Sequence, residues 1–394
     1  MIPGITRQEK QRSNHKSNNM RTAIILLFSL LMASCATKQP GNEMFTGLDS
    51  LINEEFGAGE PGGAILVMKG DSTVFLKCFG LADMETREEI TPNTLFNLGS
   101  ISKTFVANGI LILQEEGKLS VADPLSKYFT EFKSREIADK VTVMHLLTHT
   151  SGLPDNRPVS ENPEFFITAK DYENWTPVMQ AEKLVFEPGE RYEYSNPAFN
   201  GLALIIEKVS GQKWQGFIAG RIFAPAGMVT STITDGPHPE SGVSHAYEMM
   251  NGIWTESDYG EFPTFPAAGN GGVWSSVNEL ALYEKAIRKN LFLGAELTEK
   301  SRTICRHDTW VGSEPPFIGY SWFIGEEQIL GQANSFGVKF VYHTGDQGGF
   351  RAFYFTIPEK DLLYVGLFNR PPEDLDRIIM KGLSALKEND WLDK

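Results

Sequence analysis

The stretch that decides the fold is TPNTLFNLGSISKTFVANGILILQEEGKL, Thr91 to Leu119. An extended opening ends at Gly99-Ser100, and an apolar run with helical spacing follows. Ser100 and Lys103 stand three residues apart, which on a helix puts hydroxyl and amine on one face, one turn apart, so that the amine can reach the hydroxyl proton. The same residues also suit an ordinary helix N-terminus, with a capping serine and a surface lysine. The spacing alone decides little, because the chain has four such pairs: Ser13/Lys16, Ser100/Lys103, Ser210/Lys213 and Ser384/Lys387. The first lies in a leader-like segment, the third ends a helical pattern, and the fourth sits on an amphipathic C-terminal helix. Only Ser100 follows a glycine and opens an apolar helix, whose N-terminal N–H groups and positive potential suit an oxyanion.

Two further motifs follow in order. Tyr194-Ser195-Asn196 is framed by a Pro188-Gly189 turn and by the helical run GLALIIEKVSG. Tyr172-Glu173-Asn174 has the same pattern without that frame, and Asn196-Pro197 also reads as a helix start. His343-Thr344-Gly345 occurs once, at the leading edge of a strand pattern. Together with VTVMHLLTHTSGLPD (Val141 to Asp155) and PAAGNGGVWSSVNELALYEKAI (Pro266 to Ile287), these motifs resemble the penicillin-recognising serine hydrolases. The nearest group is the class C β-lactamase-like one, which includes D-alanyl-D-alanine carboxypeptidases, esterases and D-aminopeptidases. The resemblance runs from about Leu51 to Arg370.

The resemblance implies Ser100 as nucleophile, Lys103 as its proton partner and Tyr194 as the proton relay to the leaving atom. Asn196, His343, Thr344, Gly345 and Asp346 are then the substrate-binding residues. Asn196 orients Lys103 or the substrate, and the backbone N–H groups of Ser100 and Asp346 form the oxyanion hole. An unshifted lysine is neutral at pH 7 in only about four parts in ten thousand. Either burial lowers Lys103, or a cationic Lys103 lowers Tyr194, and the two titrate as a pair. His343 stands where many β-lactamases carry lysine, which resembles the D,D-peptidase and D-aminopeptidase branch. A histidine near pKa ~6.5 is largely neutral at pH 7, so it would hold a substrate carboxylate less well than lysine does and more strongly once protonated, which favours a peptide, amide or ester substrate over a β-lactam.

His145 and His149 stand four apart, a spacing that can hold zinc on a helix, but no glutamate or third ligand accompanies them. No metal and no cofactor is expected. No G-x-S-x-G surrounds any serine, which argues against an α/β-hydrolase.

The formal charge of −14 over 394 residues argues against a nucleic-acid partner. The expected partner is a small-molecule, peptide or ester substrate. Before the mature region, Arg7, Lys10, Arg12, Lys16 and Arg21 precede the apolar run Ala23 to Met32, too short to span a bilayer. LMASC follows, ending at Cys35, and resembles a bacterial lipobox. The expectation is a signal peptide over 1–35, in which residues 1–19 are an upstream extension if the true start is Met20, lipidation at Cys35, and a polar tether over 36–45. The protein would then be anchored by lipid alone in the bacterial cell envelope, outside the cytoplasm. Cys78 and Cys305 would be the remaining cysteines, free to pair in an oxidising compartment.

Strand patterns cluster at both ends of the mature chain. GGAILVMKGDSTVFLKCFGLADM reads as two strands joined by a Lys69-Gly70-Asp71 turn, and GFRAFYFTIPEKDLLYVGLFNR as a second hairpin. Helical patterns fill the middle and both flanks. The expected class is α+β over 46–394: an antiparallel sheet built from N- and C-terminal strands, flanked by helices, with a mostly helical subdomain inserted at about 102–265.

Overall fold

The computed structural model describes residues 43–393, apart from 163–164, 166–167, 235–237 and 258–267. The leader, Cys35 and the tether up to residue 42 lie outside the described residues. Phe45, placed at the end of the tether by the sequence, is fully buried against Phe75, so packing begins one residue before the expected boundary.

Six antiparallel strands form the main sheet: β1 (Gly63–Lys69), β2 (Ser72–Phe79), β3 (Phe323–Gly325), β4 (Phe340–Gln347), β5 (Phe350–Ile357) and β6 (Leu362–Phe368). Their spatial order is β3-β4-β5-β6-β1-β2. The N-terminal hairpin therefore docks on the C-terminal one through β1 and β6, with Gly63 opposite Phe368 and Lys69 opposite Leu362. Side chains alternate between two cores. Ile65 and Val67 of β1 face the helices α1 (Thr46–Glu55) and α6 (Leu375–Glu388), whereas Ala64, Leu66 and Met68 face the inserted region. A sheet covered on both faces needs continuous apolar strands, and every residue of β6 is buried.

The inserted region packs around α2 (Ser102–Glu115), α3 (Asp171–Met179), α4 (Asn196–Ser210) and α5 (Val277–Arg288). Helix α2 is apolar nearly all round, with Ser102 to Leu113 buried, as suits a central helix. Helix α4 ends at Gly211 in the left-handed conformation, the stop its sequence signals. The insert is less uniformly helical than expected, because it also carries Thr232–Ile233, Tyr247–Met250 and Ile253–Glu256 as short strands. Cys78 and Cys305 are free thiols. Among the described residues no helix is long and apolar enough to cross a membrane.

A buried ion pair ties Glu284 of α5 to Arg302, just beyond Ala295–Ser301, and Thr356 of β5 ties the same carboxylate to the sheet. Arg302 donates to both oxygens of Glu284 at 3.1 and 2.7 Å, and Thr356 adds a bond of 2.8 Å. Burial opposes the charge on Glu284, yet the guanidinium holds its carboxyl below the usual range. Arg302→Met should therefore cost about 3–5 kcal/mol by leaving a buried charge unpaired. Urea unfolding near pH 7 checks this, and a loss under about 1 kcal/mol would show that Glu284 is not held as a buried anion. A depressed acid stabilises above its unfolded pKa, so the variant's deficit should shrink as pH falls through the folded pKa of Glu284.

Candidate active site

The sheet and the insert meet at Ser100. The turn Gly99–Ile101 leads straight into α2, and its position is set on both sides. Leu98 N–H donates to Val273 O at 2.9 Å and Val273 N–H to Ser102 Oγ at 3.0 Å. On the other side runs β4, whose outer edge is covered by β3 only as far as Tyr342. Beyond that point the strand faces the Ser100 turn with no side chain between. A Cβ on Gly345 would sit 2.1 Å from Leu98 O, and one on Gly99, at φ +50, would sit 2.7 Å from Asp346 N. Both glycines are thus required by the contact itself. Successive N–H groups of a strand point to opposite edges, and this approach brings Asp346 N to the turn that carries Ser100. The Asp346 side chain is engaged elsewhere, 2.9 Å from Arg351.

Ser100 Oγ lies 2.9 Å from Lys103 Nζ and accepts a hydrogen bond of 2.7 Å from the Tyr194 hydroxyl. Lys103 is fully buried, and its Nζ donates to Asn270 O at 2.7 Å. Desolvation, aided by the nearby positive charge of Arg157, pushes the Lys103 pKa well below that of a free lysine. This shift favours the neutral amine, whose lone pair could then take the Ser100 proton. Desolvation also raises the Tyr194 phenol, so it stays protonated and donates. Of the two electrostatic alternatives open from sequence, the lowered amine is the one this geometry supports. Amine and protonated phenol, joined through the Ser100 hydroxyl, form an arrangement that can pass protons to and from that hydroxyl.

Tyr172-Glu173-Asn174 is not part of this arrangement. Tyr172 is exposed, and Asn174 is buried against Arg157 NH1 at 2.8 Å. Asn196 occupies the first turn of α4, capped by Ser195, and among the described residues it makes no hydrogen bond to Lys103. That role falls to the backbone of Asn270, which sequence reasoning did not single out. Asn270 Nδ2 donates to Asn200 Oδ1 at 3.0 Å, Asn200 Nδ2 to Asp171 Oδ1 at 2.6 Å, and Gly269 N–H to the same carboxylate oxygen at 2.8 Å. Three buried polar side chains thereby fix one carbonyl. The asparagine in PAAGNGGVW was the available signal, since a polar residue inside a glycine-rich apolar segment needs partners when buried.

His343 departs from its expected part. The ring is 1% exposed, its Nδ1–H donates to Thr344 O at 2.6 Å, and desolvation, with Lys103 alongside, lowers its pKa to about 3. A neutral imidazole agrees with the weak hold on a carboxylate expected at pH 7, but a pKa lowered this far removes the strengthening expected as pH falls through the range of a free histidine. The neighbouring Thr344 is half-buried.

His145 and His149 do not converge. His145 Nδ1 accepts from Thr142 N–H at 3.0 Å and its ring lies 5.1 Å from that of His307, while the His149 ring stacks on Tyr194. Among the described residues one group, His238, His245 and Glu256, has the composition of a metal site. Its two rings are stacked, 4.7 Å apart at 22°, and His245 Nδ1 is bonded to Glu256 at 2.8 Å. Stacked rings direct their in-plane lone pairs side by side, whereas two nitrogen ligands of one zinc lie about 3.3 Å apart and converge. A cavity of about 810 Å³ lined by Gln114, Met144, Cys305 and Tyr320 contains none of Ser100, Lys103 and Tyr194.

The chain matches the Beta-lactamase family over residues 48–387. It belongs to that family, a superfamily of serine hydrolases, and has its α+β fold. It is 28% identical to penicillin-binding protein 4* of Bacillus subtilis over 338 residues, which is 81% of this chain and 71% of that protein. It is 26% identical to protein flp of Staphylococcus aureus, covering 86% of this chain and 66% of flp, so it spans less than two thirds of that relative's length. The octameric penicillin-binding protein homologue of Pyrococcus abyssi superposes with a TM-score of 0.74 at 30% identity, over 86% of this chain and 77% of that one. The D-amino acid amidase of Ochrobactrum anthropi SV3, at 19% identity, shares the fold with a TM-score of 0.71 over 88% of this chain and 99% of that one.

Keeping Lys103 neutral has a cost that can be measured. Its pKa is depressed on folding, so below about pH 10.4 the unfolded chain binds a proton that the folded one does not, and stability rises with pH. Lys103→Met should therefore be more stable than the wild type near pH 7, with the difference closing toward about pH 10 in parallel urea titrations. A pH-independent difference would mean that Lys103 is charged in the folded protein.

Proposed function

We propose that the protein is a serine hydrolase that cleaves peptide, amide or ester bonds through an acyl-enzyme on Ser100. The observation that carries this reading is Ser100 Oγ held between Lys103 Nζ and the Tyr194 hydroxyl, at 2.9 and 2.7 Å. Neutral Lys103 takes the Ser100 proton as Oγ attacks the substrate carbonyl. The N–H groups of Ser100 and Asp346 receive the oxyanion, each donor being worth roughly 10²–10³ in rate. Tyr194 gives its proton to the departing nitrogen or oxygen and is reprotonated from Lys103. Water then attacks the acyl-enzyme by the reverse proton path and frees Ser100.

A neutral His343 favours substrates without a carboxylate at that subsite, which places amides, esters and aminopeptidase-type substrates ahead of β-lactams. Relatives named for penicillin binding and for D-amino acid amidase activity lend support to both a D-configured amide and a penicilloyl adduct. A class C-type β-lactamase is the second reading. The leader pattern and LMASC support a site outside the cytoplasm, lipid-anchored through Cys35, which N-terminal mass analysis of the mature protein would check.

The test is labelling with a fluorophosphonate and with penicillin, followed by peptide mass spectrometry. The wild type should carry the adduct on Ser100 and Ser100→Ala should carry none. An adduct on the Ala variant, or none on the wild type, would sink the assignment. In turnover of a D-amino acid amide, a p-nitrophenyl ester and nitrocefin, nitrocefin should be the slowest.

A second outcome concerns charge. Because His343 titrates near pH 3, the ratio of kcat/KM for a carboxylate-bearing substrate to that for its neutral analogue should be flat from about pH 5 to about pH 8. A ratio that rises as pH falls through that window would restore His343 as a cationic clamp.

A further inference from the structure

Tyr194 must place its hydroxyl on Ser100, yet Tyr192 to Ser195 belong to no helix or strand. What fixes this segment is largely one residue. His149 O accepts from Glu193 N–H at 2.8 Å, and His149 Nδ1 accepts from Ser195 N–H at 3.0 Å. The backbone is thus held on both sides of Tyr194. Between the two bonds the His149 ring stacks on the Tyr194 ring, centroids 4.4 Å apart at 26°.

His149 is itself set firmly. It sits at φ +54, a left-handed conformation uncommon for a residue other than glycine. The turn that holds it there is closed by Thr150 N–H to His145 O at 2.9 Å and by Gly189 N–H to Thr150 O at 2.8 Å. The ring is 1% exposed, and Nε2 has no protein partner. Since Nδ1 accepts from a backbone N–H, the neutral ring carries its proton on Nε2. A protonated ring would turn Nδ1 into a donor facing another donor, and burial beside Lys103 and His343 disfavours that form. Neutral His149 keeps the latch closed. Ser195, held by its N–H, in turn caps α4 by accepting from Ala198 N–H at 3.4 Å, so the latch also sets where the following helix begins.

We infer that His149 is a positioning residue for proton transfer by Tyr194: it clamps the chain before and after the tyrosine and stacks on its ring, so that the hydroxyl stays on Ser100. This rests on the acyl-enzyme reading of Ser100. Its signature is a dependence on the leaving group. An amide nitrogen must be protonated to depart, whereas p-nitrophenolate leaves without an acid, so a displaced Tyr194 slows amides far more than activated esters.

The experiment compares kcat for a D-amino acid p-nitrophenyl ester and the matching amide in wild type, His149→Phe and His149→Asn. Phenylalanine keeps a stacking ring and loses the acceptor. Asparagine keeps an acceptor near the Nδ1 position and tolerates positive φ. The amide-to-ester ratio should fall about tenfold to a hundredfold in His149→Phe and by no more than a few-fold in His149→Asn. Equal proportional losses for both substrates in His149→Phe would assign the residue to folding alone and overturn the inference. Should His149→Phe fail to fold, His149→Gly replaces it, since glycine accepts the same φ without the acceptor; equal ratios in the Gly and Asn variants would overturn the inference as well. Fluorophosphonate labelling of Ser100 runs in parallel: an unlabelled wild type refutes the Ser100 reading, while a labelled wild type with an unchanged ratio in the variants refutes only the role of His149.

Discussion

Burial of the Lys103 amine is the constraint around which the site is arranged. An ammonium in that position would have to be paired with a carboxylate, and the group it meets instead is the carbonyl of Asn270. A carbonyl accepts from a neutral amine as well as from a charged one and does not pull the proton back, so the lone pair remains free for Ser100. A carboxyl group lies one step removed: Asp171 is engaged by Asn200, Gly269 and Trp214 Nε1. Its side chain thus holds the Asn270 segment in place, and Lys103 meets the carbonyl rather than the carboxyl group. Arg157, bound to Asp155 and Asn174, adds positive potential that works in the same direction.

The second constraint is steric. Strand β4 and the Leu98-Gly99 turn approach so closely that neither Gly345 nor Gly99 has room for a side chain. This contact joins the sheet to the insert and brings the Asp346 N–H to the turn that carries Ser100. Helix α2 is pinned through Ser102 and Val273 on one side and by β4 on the other, so Ser100 at its head cannot shift without moving both. Placing the reacting group on the junction of two packed bodies gives it the rigidity of both.

Much of this was legible in the chain. The two hairpins, the central apolar helix and the Gly211 stop are local patterns with strict periods, and they appear where the pattern places them. Ser100, Lys103 and Tyr194 could be assembled because their order and framing carry information that each motif alone lacks. The sequence could not tell whether a basic side chain would be solvated. His343 read as a pH-sensitive cation because its free pKa lies near neutrality, and its burial beside Lys103 is a tertiary fact. Asn270 was hidden for a different reason, since its contribution to Lys103 is a backbone carbonyl that any residue could supply. His149 suggested a metal ligand by its spacing from His145, but the turn at positive φ sends the two rings to different neighbours.

Lys103, His149 and His343 are all buried, and a charge on Lys103 disfavours charge on both imidazoles. The pKa of His149 is lowered by Lys103 and His343, and that of His343 by Lys103, in both cases after desolvation. Three basic side chains can sit close together only if most of them are neutral, and the backbone partners decide which proton each imidazole keeps: Thr344 O takes the Nδ1–H of His343, and Ser195 N–H occupies Nδ1 of His149. Neutrality here is therefore a property of the group of three. A substrate carboxylate brought beside them would raise all three pKa values together, including that of Lys103. Under the proposed acyl-enzyme reading such an anion would hold Lys103 protonated and so oppose its uptake of the Ser100 proton, which is the physical reason the proposal puts uncharged amides and esters first.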